Sequence, residues 1–460
     1  MNAQNASGHL DAWPMLRVDI LEGESQARFG WRECRIGKHI TFSTQRLESY
    51  CFAKWEPLVF DMLLLAAAVE FCDKTCRRST VRWGRRIECI VPVHDVALWK
   101  SSPVNNALHD VLQFLTGDQW TVAFKPRIQP AEPTRQGELS LHNDVQAVIP
   151  YSDGLDSRAV AGILGKDLAN RLVRVRLGTK KSTDPHARRV PFAAVPYAVR
   201  PYKNNLEGSG RSRGFKFTLI GGMAAYLSGS RRVVMPESAQ GSLGPVLVPV
   251  GQAYEDYRNH PLFTDRMSAL LKALLGQDIR FEYPRLWHTK GETIAAYIAS
   301  QDQAPWLDTH SCWQQSRQAS VDGRKRQCGV CAACLLRRMS VHAAGLIEPD
   351  DTYVWLDLSA SEFPEGAAAA FKPEHITTAL KEYAIAGALH LDHLASLWHS
   401  PANREAVSHN IFLLARSLDL SEEEISSRFK RVLDQHENEW RAYLDSLGPQ
   451  SFIAQWMPRS

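Results

Sequence analysis

Residues 145–157 read V-Q-A-V-I-P-Y-S-D-G-L-D-S, and this stretch decides which fold the surrounding sequence builds. Val145–Pro150 is a short apolar run typical of a buried strand, and Ser157–Asn170 follows it with a helical pattern. The alternation then continues through strand-like Leu172–Leu177, helical Gly214–Leu227 and strand-like Val233–Met235. It predicts βαβ units and an α/β fold with a parallel sheet core, in which ligands bind at the carboxyl ends of the strands.

The segment between the first strand and the first helix has the composition of a phosphate-binding loop. Its small residues can direct backbone N–H groups at an anion, and the helix that follows adds a partial positive charge. A capped connection without a ligand is the alternative interpretation. The segment has no lysine of the Walker A kind, which argues against transfer of a γ-phosphate. The candidate phosphate-binding residues are Ser152, Asp153, Gly154, Leu155, Asp156 and Ser157.

A cysteine cluster is the second chemical signal. Cys328, Cys331 and Cys334 lie within seven residues, and Cys312 upstream can supply a fourth sulfur. Four thiolates favour a closed tetrahedral zinc site with a structural role, while an iron–sulfur site is the alternative. The other cysteines lack such spacing and are predicted to be buried thiols; they are Cys34, Cys51, Cys72, Cys76 and Cys89.

Composition narrows the class of protein. The 460 residues suffice for two or three domains, and 44% hydrophobic with 23% charged residues is typical of a folded globular chain. A net charge of +4 is too small to indicate direct nucleic-acid binding. The N-terminus lacks a signal-peptide pattern, and no apolar run is long enough to cross a bilayer, so we expect a cytoplasmic protein without membrane contact.

The chain is predicted to contain three domains. Residues 1–143 read as a mixed α/β domain, with Leu58–Phe71 and Val104–Thr116 as helices and Val81–Val93 as a strand. A linker over Pro126–Glu138 precedes the α/β domain at 144–347. Residues 348–460 form a helical C-terminal extension, in which Ser421 and Glu424 have the spacing of a capping box and Gly448 ends the last long helix.

The two motifs together resemble the QueC family, the 7-cyano-7-deazaguanine synthases. Ser152–Ser157 is similar to the S-G-G-x-D-S loop of PP-loop ATP pyrophosphatases, except that Asp153 replaces the first glycine and places a negative charge beside the phosphates. Cys328–Arg337 matches the pattern C-G-x-C-x-x-C-x-x-R. The resemblance covers residues 144–347. It implies a PP-loop core, similar to the adenine nucleotide alpha hydrolases, with a four-cysteine zinc motif.

The resemblance also implies a reaction and a set of ligands. It implies an ATP-dependent carbon–nitrogen ligase that forms AMP and diphosphate, activates a 7-carboxy-7-deazaguanine, and uses Mg²⁺ and Zn²⁺. Asp156 would hold magnesium, Ser157 would bind pyrophosphate, and Arg213, within Arg211–Phe215, would offset charge at the α-phosphate. A solvated basic loop is the alternative for that arginine segment. Glu237, Lys290 and Glu292 are the substrate-binding candidates, and Thr289–Glu292 also fits a plain helix start.

The long flanks resemble the enlarged QueC-like proteins of anti-phage systems, namely QatC and the QueC-like enzyme of type IV CBASS. Pro92–Asp95 with Trp99, and Phe114–Trp120, carry that likeness. It implies an antiviral role with a protein amine or an operon-encoded partner as acceptor, in place of ammonia.

Two other functions stay open at this point. With a degenerate loop at Asp153, the chain would be a non-catalytic subunit that binds a nucleotide or a partner. A sulfur-transferring, tRNA-modifying PP-loop enzyme would need a cysteine near the nucleotide, and the sequence has none between Cys89 and Cys312.

Overall fold

The computed structural model describes residues 14–42, 56–79, 82–129, 144–177, 195, 197–204, 206–250, 254–300, 305–314 and 319–457. The chain divides into two compact units, each built from separate stretches of sequence. The first comprises Met1–Pro150, Asn170–Val234 and Phe263–Glu282, and the second comprises Tyr151–Ala169, Met235–Leu262 and Tyr283–Ser460. The three sequential domains expected from the sequence, 1–143, 144–347 and 348–460, stay a prediction.

The strands, numbered in chain order, are β1 (Met15–Leu21), β2 (Arg32–Arg35), β3 (Ile40–Phe42), β4 (Arg86–Val93), β5 (Gln119–Pro126), β6 (Ala147–Pro150), β7 (Leu172–Val175), β8 (Tyr197–Val199), β9 (Arg232–Val234), β10 (Arg280–Glu282), β11 (Ser320–Val321) and β12 (Arg324–Lys325). The last two form an antiparallel ribbon in the second unit. The others belong to the first unit, where β3 pairs antiparallel with β8.

The helices are α1 (Pro57–Thr75), α2 (Val96–Lys100), α3 (Ser102–Thr116), α4 (Leu155–Leu168), α5 (Arg213–Leu227), α6 (Ala239–Ser242), α7 (Gly244–Leu247), α8 (Pro261–Leu275), α9 (Lys290–Ser300), α10 (Ala332–Ala343), α11 (Thr378–Ser396), α12 (Arg404–Leu418), α13 (Glu422–Leu447) and α14 (Phe452–Trp456). Short 3₁₀ turns occur at Ala169–Arg171, Asp350–Thr352, Phe363–Gly366, Pro373–His375 and Pro401–Asn403.

Two parallel sheets form the framework of the first unit. One has the strand order β2-β1-β4-β5, and the other has the order β10-β9-β6-β7. In the second sheet, β7 lies on one side of β6, while β9 and β10 lie on the other. The order therefore reverses at β6, and the carboxyl end of a strand at such a reversal is where α/β proteins bind ligands. The predicted α/β class with parallel sheets is confirmed.

The first unit is held together by an apolar helix and a close helix pair. α1 is buried along almost its whole length, from Val59 to Phe71, as its continuous apolar sequence requires. Gly222 of α5 allows α8 to approach closely, because a Cβ at this glycine would lie 2.4 Å from a methyl carbon of Leu271.

Most elements predicted from the sequence are present with small shifts of their ends. α1 extends the predicted helix at both ends, α4 begins two residues earlier than predicted, and β6 begins at Ala147. The strands that were not predicted are β1, β2, β3, β5, β8, β10, β11 and β12. β5 runs to Pro126, the first residue of the predicted linker, of which residues 130–138 lie outside the described part of the chain.

The N-terminal motifs that carry the likeness to the anti-phage proteins have structural contacts in the first unit. Asp61 of α1 is fully buried and accepts hydrogen bonds from His94 N at 2.8 Å and from Trp99 Nε1 at 3.2 Å. His94 Nδ1 lies 2.7 Å from the same carboxylate. Gly117 ends α3 with a left-handed backbone (φ +67°), and Asp118 then accepts from the buried guanidinium of Arg85.

The second unit is mainly helical toward the C-terminus, as predicted. α11 and α13 pack against α10 around a core that includes Trp355 and Trp440. The Ser421 side chain accepts a hydrogen bond from Glu424 N at 3.1 Å, and α13 ends at Gly448. Both ends of this helix follow the sequence-based prediction.

Among the helices of the described residues, none has both the length and the apolar composition needed to cross a bilayer.

Candidate functional site

The loop from Ser152 to Ser157 is organised around one hydroxyl group in the second unit. Ser157 Oγ accepts a hydrogen bond from Ser152 N at 3.1 Å, and it lies 3.1 Å from the carbonyl oxygens of Ser152 and Gly154, to which it can donate. Ser152 Oγ accepts from Gly154 N at 3.0 Å. Ser157 is buried. These bonds hold the loop in a defined turn.

The loop leads directly into a helix. α4 begins at Leu155 with Gly154 as its N-cap residue, so the amides of the first turn have no partner within the helix. The helix dipole adds partial positive charge at this end. Leu155 is buried in an apolar cluster with Ala159, Ile294 and Tyr297, which fixes the start of α4 against α9. A helix start of this kind can bind an anion.

Asp153 is accommodated without backbone strain. The non-glycine residues with positive φ in the described part of the chain are Ala169, Asp322 and Asp419, so Asp153 does not need the left-handed conformation that favours glycine. Its carbonyl oxygen accepts a hydrogen bond from His310 N at 2.7 Å. The loop is thereby tied to the segment that carries Cys312.

Asp156 forms a buried ion pair. Its carboxylate contacts the ammonium group of Lys290, the first residue of α9, and the two side chains are 13% and 8% exposed. Ser238 Oγ lies 3.5 Å from the other carboxylate oxygen. Water screens this pair much less than a surface pair, so the attraction is strong. The structure brings together two residues that the sequence assigned to different ligands.

Glu292 caps the helix on which Lys290 lies. Its carboxylate accepts from Thr289 N at 2.8 Å, and Glu292 N donates to Thr289 Oγ1 at 3.1 Å, which is a reciprocal capping box. Arg431 also contacts this carboxylate. Burial alone would raise the pKa of Glu292, but the hydrogen bonds from Arg431 and Thr289 N lower it. Its predicted contact with the substrate stays a prediction.

Glu237 and Arg213 lie in different units. Glu237 is half-buried beside α6 in the second unit. Its carboxylate lies so close to Gly241 that a Cβ at that glycine would be 2.4 Å from a carboxylate oxygen. Arg213 is exposed in the first unit, with its guanidinium 5.4 Å from the ring centre of Phe217. The preceding Ser212 N donates to the buried carboxylate of Asp73 at 2.9 Å. The predicted roles of Glu237 and Arg213 stay predictions.

The four predicted metal ligands converge in the second unit. The sulfurs of Cys312, Cys328, Cys331 and Cys334 all lie within 4.8 Å of one another, and those of Cys328 and Cys334 are 3.8 Å apart. Sulfurs bound tetrahedrally to one zinc ion at ~2.3 Å lie ~3.8 Å apart. The donor set and its dimensions therefore fit a single ion, and the cluster could bind zinc.

Backbone geometry and charge support this site. Gly329 has φ +90°, and a Cβ there would lie 2.9 Å from the carbonyl oxygen of Trp355, so glycine is required between the cysteines. Hydrogen bonds from Cys328, Cys331 and Cys334 lower the pKa of Cys312. Burial raises the pKa of Cys328 and Cys334, so a cation is needed to hold them as thiolates.

The remaining described cysteines belong to the first unit. Cys34, Cys72 and Cys89 are buried as predicted, whereas Cys76 is half-buried and that prediction was wrong for it. Cys76 is the C-cap residue of α1, where the chain leaves the core. Cys51 lies outside the described residues.

Arg337 and Ser238 make contacts near the site that the sequence did not predict. Arg337 is fully buried and donates to Thr309 Oγ1 at 2.7 Å and to Glu348 at 2.8 Å. It thus holds the segment whose His310 contacts Asp153. Its place at the end of the cysteine motif was the one available signal. Ser238 had a weaker signal, since it follows the carboxyl end of β9 by four residues.

Comparison with known families finds a match to part of the chain. Residues 248–345 match the family described as Queuosine biosynthesis protein QueC. This region contains Lys290, Glu292 and the four cysteines, and it does not include the loop at 152–157. No curated protein and no solved structure matches the chain. The match supports the QueC family for this chain, and a QueC domain suggests an ATP-using enzyme of the carbon–nitrogen ligase or ATP pyrophosphatase type.

Proposed function

We propose that this chain is an ATP-dependent ligase that adenylates the carboxylate of a 7-carboxy-7-deazaguanine and passes the acyl group to an amine. The observation that carries this proposal is the Ser152–Ser157 turn at the start of α4, with the Asp156–Lys290 pair beside it. This arrangement lies in the same compact unit as residues 248–262 and 283–345 of the region matched to QueC. An anion-binding helix start with a paired cation is what an ATP pyrophosphatase site requires.

The loop would bind the pyrophosphate part of ATP. The amides of Ser152 and Gly154 are directed inward onto serine hydroxyls, and phosphate oxygens are stronger acceptors for such donors. The first-turn amides of α4 add further donors together with the helix dipole. Ser152, Gly154, Leu155 and Ser157 would therefore hold the leaving group.

Charge at the reacting phosphate is the second requirement. Magnesium, when bound, neutralises phosphate oxygens, and the Asp156 carboxylate is the hard oxygen donor that would hold it. Lys290, relieved of its present partner, would then be available to the substrate carboxylate. Arg213 would offset charge that develops at the α-phosphate. Glu237 and Glu292 would complete the substrate contacts, Glu292 after release from Arg431.

The chemistry has two balanced steps. A carboxylate oxygen of the substrate attacks the α-phosphorus, the bond to the β-phosphate oxygen breaks, and pyrophosphate leaves. The amine nitrogen then attacks the acyl carbon, AMP leaves with the electrons of the acyl–oxygen bond, and the amine loses a proton. With ammonia as the amine, the product is a primary amide. Dehydration of that amide to a nitrile would require a second activation of the same kind.

The flanking regions favour a protein amine as acceptor and a role in antiviral defence. The likeness of residues 92–99 and 114–120 to the enlarged QueC-like proteins of anti-phage systems supports this part of the proposal. The product would then be an amide between a deazaguanine and a protein.

The product itself distinguishes these acceptors. Purified protein is incubated with ATP, magnesium and 7-carboxy-7-deazaguanine, with ammonia, with an operon-encoded partner protein, or with neither. We expect AMP and diphosphate, and a mass increase on the acceptor. A nitrile or primary amide identifies ammonia, and a modified polypeptide identifies a protein amine. ADP as the nucleotide product would contradict the proposal.

A non-catalytic subunit of a defence complex is the second candidate. Asp153 favours it, since a carboxylate in the loop repels phosphate. Calorimetry with ATP in the presence and absence of magnesium separates the two functions: the ligase requires magnesium-dependent ATP binding, and a degenerate loop shows none.

A further inference from the structure

The turn that carries Lys290 is held by the long C-terminal helix α13. Arg431 donates to the carbonyl oxygen of Trp287, just before the turn, at 2.9 Å. Arg431 also pairs with the carboxylate of Glu292, which lies within the turn. About two helical turns further along α13, Glu439 accepts a hydrogen bond from the hydroxyl of Thr289. These contacts come from a helix outside the region matched to QueC, which ends at residue 345.

A third contact runs through a buried glutamine. Lys290 N donates to Gln240 Oε1 at 2.8 Å, and Gln240 Nε2 lies 3.3 Å from His436 Nδ1. His436 Nε2 lies 2.9 Å from the carbonyl oxygen of Leu391. Both Gln240 and His436 are buried, so this chain of hydrogen bonds is shielded from water.

The donor and the acceptor of each hydrogen bond in this series follow from the protonation of His436. Burial lowers the pKa of His436 to about 4, so the ring is neutral and carries one proton. The Leu391 carbonyl can only accept, which places that proton on Nε2 and leaves Nδ1 as an acceptor. Gln240 must then direct its NH₂ group at His436 and its oxygen at Lys290 N. The histidine tautomer therefore fixes the glutamine orientation that receives the backbone of Lys290.

The fit at the neighbouring residue is close. A Cβ on Gly291 would lie 2.9 Å from Glu439 Oε1 and 3.0 Å from the Cβ of Ala343. Glu439 is buried, and burial raises its pKa. The start of α9 is thus packed closely between α13 and α10. The backbone of Lys290 therefore has little room to move.

We infer that α13 is a positioning element of the nucleotide site, in which His436 through Gln240, and Glu439 through Thr289, hold the backbone of Lys290 in place beside Asp156. This inference rests on the proposed function of Asp156 and Lys290. His436 and Glu439 act through other groups and are positioning residues. Helix α13, near the C-terminus, would therefore contribute to the geometry of the site.

A matched set of variants tests this inference. His436→Phe keeps an aromatic ring of similar size but removes the acceptor for Gln240. His436→Asn restores a side-chain acceptor near the position of Nδ1. Asn438→Ala changes an exposed residue of the same helix and is the control. The first readout is hydrogen–deuterium exchange of the segment 289–293, which is independent of activity.

We expect exchange of this segment to rise about tenfold in His436→Phe, to return toward wild type in His436→Asn, and to stay unchanged in Asn438→Ala. Unchanged exchange in His436→Phe overturns the inference. The second readout is the rate of AMP formation, which we expect to fall about tenfold in His436→Phe and to be restored in His436→Asn.

A double-mutant cycle isolates the path through Lys290. If His436 acts through Lys290, adding His436→Phe to Lys290→Ala lowers AMP formation no further, whereas independent effects multiply and overturn the inference. A wild-type protein that forms no AMP would refute the proposed reaction instead. In that case the exchange measurement alone decides whether α13 holds the turn.

Discussion

The cysteine cluster and the serine loop lie in the same compact unit, but they depend on their ligands in opposite ways. In the cluster, four sulfurs lie within 4.8 Å of one another, and burial raises the pKa of Cys328 and Cys334, so these thiolates need a cation. In the loop, hydroxyls and amides already satisfy one another, and Asp156 already has Lys290 as a partner. The cluster would gain bonds from a metal ion, whereas the loop would have to exchange its present hydrogen bonds for bonds to phosphate.

We therefore expect changes in the cluster to affect the stability of the fold and changes in the loop to affect turnover. Loss of the metal should lower the free energy of unfolding, because the cysteines belong to the same apolar core as Trp355 and residues of α10 and α11. Loss of a loop hydroxyl should affect turnover far more than folding.

Replacement of Cys331 by serine should remove the metal and unfold the region around it. A structural zinc site contributes on the order of 10 kcal/mol in small zinc domains, so a large fall in the unfolding temperature is expected. Metal analysis and thermal unfolding measure the two effects. Cys76→Ser, at a half-buried thiol outside the cluster, is the control and should keep the metal. A Cys331→Ser protein with full metal content and unchanged unfolding temperature would show that the cluster is not a structural site.

Replacement of Ser157 by alanine should lower AMP formation by roughly 10²–10³-fold, the usual effect of losing a preorganised polar group that acts in the transition state. Asp156→Asn should have a similar effect. Both proteins should keep their zinc. Steady-state kinetics measure the rate, with Ser427→Ala on the exposed face of α13 as the control. Full turnover by Ser157→Ala would mean that the loop does not bind the phosphates.

Replacement of Asp153 by glycine should strengthen ATP binding several-fold, because removing a like charge near the phosphates is worth about 1 kcal/mol at a partly exposed site. Asp153 has no left-handed backbone, so the gain should come from charge and not from backbone freedom. Asp153→Asn, which keeps the side chain but not the charge, should behave like Asp153→Gly. Weaker binding by both variants would assign Asp153 a favourable role at the site. Calorimetry at low and high salt is the measurement.

The smallest effect concerns Glu292. Its pKa in the folded protein lies below the ordinary value of 4.5, so the ionised group stabilises the fold above that pH, and the contribution is lost as the pH falls through the folded pKa. Glu292→Gln keeps a capping side chain but not the charge. We expect a loss below about 1 kcal/mol at pH 7, because Arg431 is half exposed. Urea unfolding at pH 7 and at pH 3 should show a smaller difference between Glu292→Gln and wild type at the lower pH.

The cysteine cluster and the class of fold were predictable because their signals are local. Three of the four ligands lie within seven residues, and the alternation of strands and helices fixes a parallel sheet. The loop was predictable for the same reason. The N-cap at Ser421 and the end of α13 at Gly448 were predictable because each depends on residues within a single helical turn.

The contacts that position the site could not be predicted because they join distant parts of the chain. Lys290 lies 134 residues from Asp156, and Glu439 lies 150 residues from Thr289. No pattern in the sequence indicates that a glutamine at 240 must face a histidine at 436. Strand β5 was missed although exposed and buried residues alternate along it, and its last residue, Pro126, begins the segment with three prolines.

Adenylation itself is tested most directly by isotope exchange between diphosphate and ATP in the absence of any amine. The acyl-adenylate step is reversible, so labelled diphosphate should enter ATP when 7-carboxy-7-deazaguanine and magnesium are present, and should not enter it when the acid is omitted. Ser157→Ala should abolish the exchange. Absence of exchange with every component present, or exchange that does not depend on the acid, would contradict the proposal that this chain activates a carboxylate.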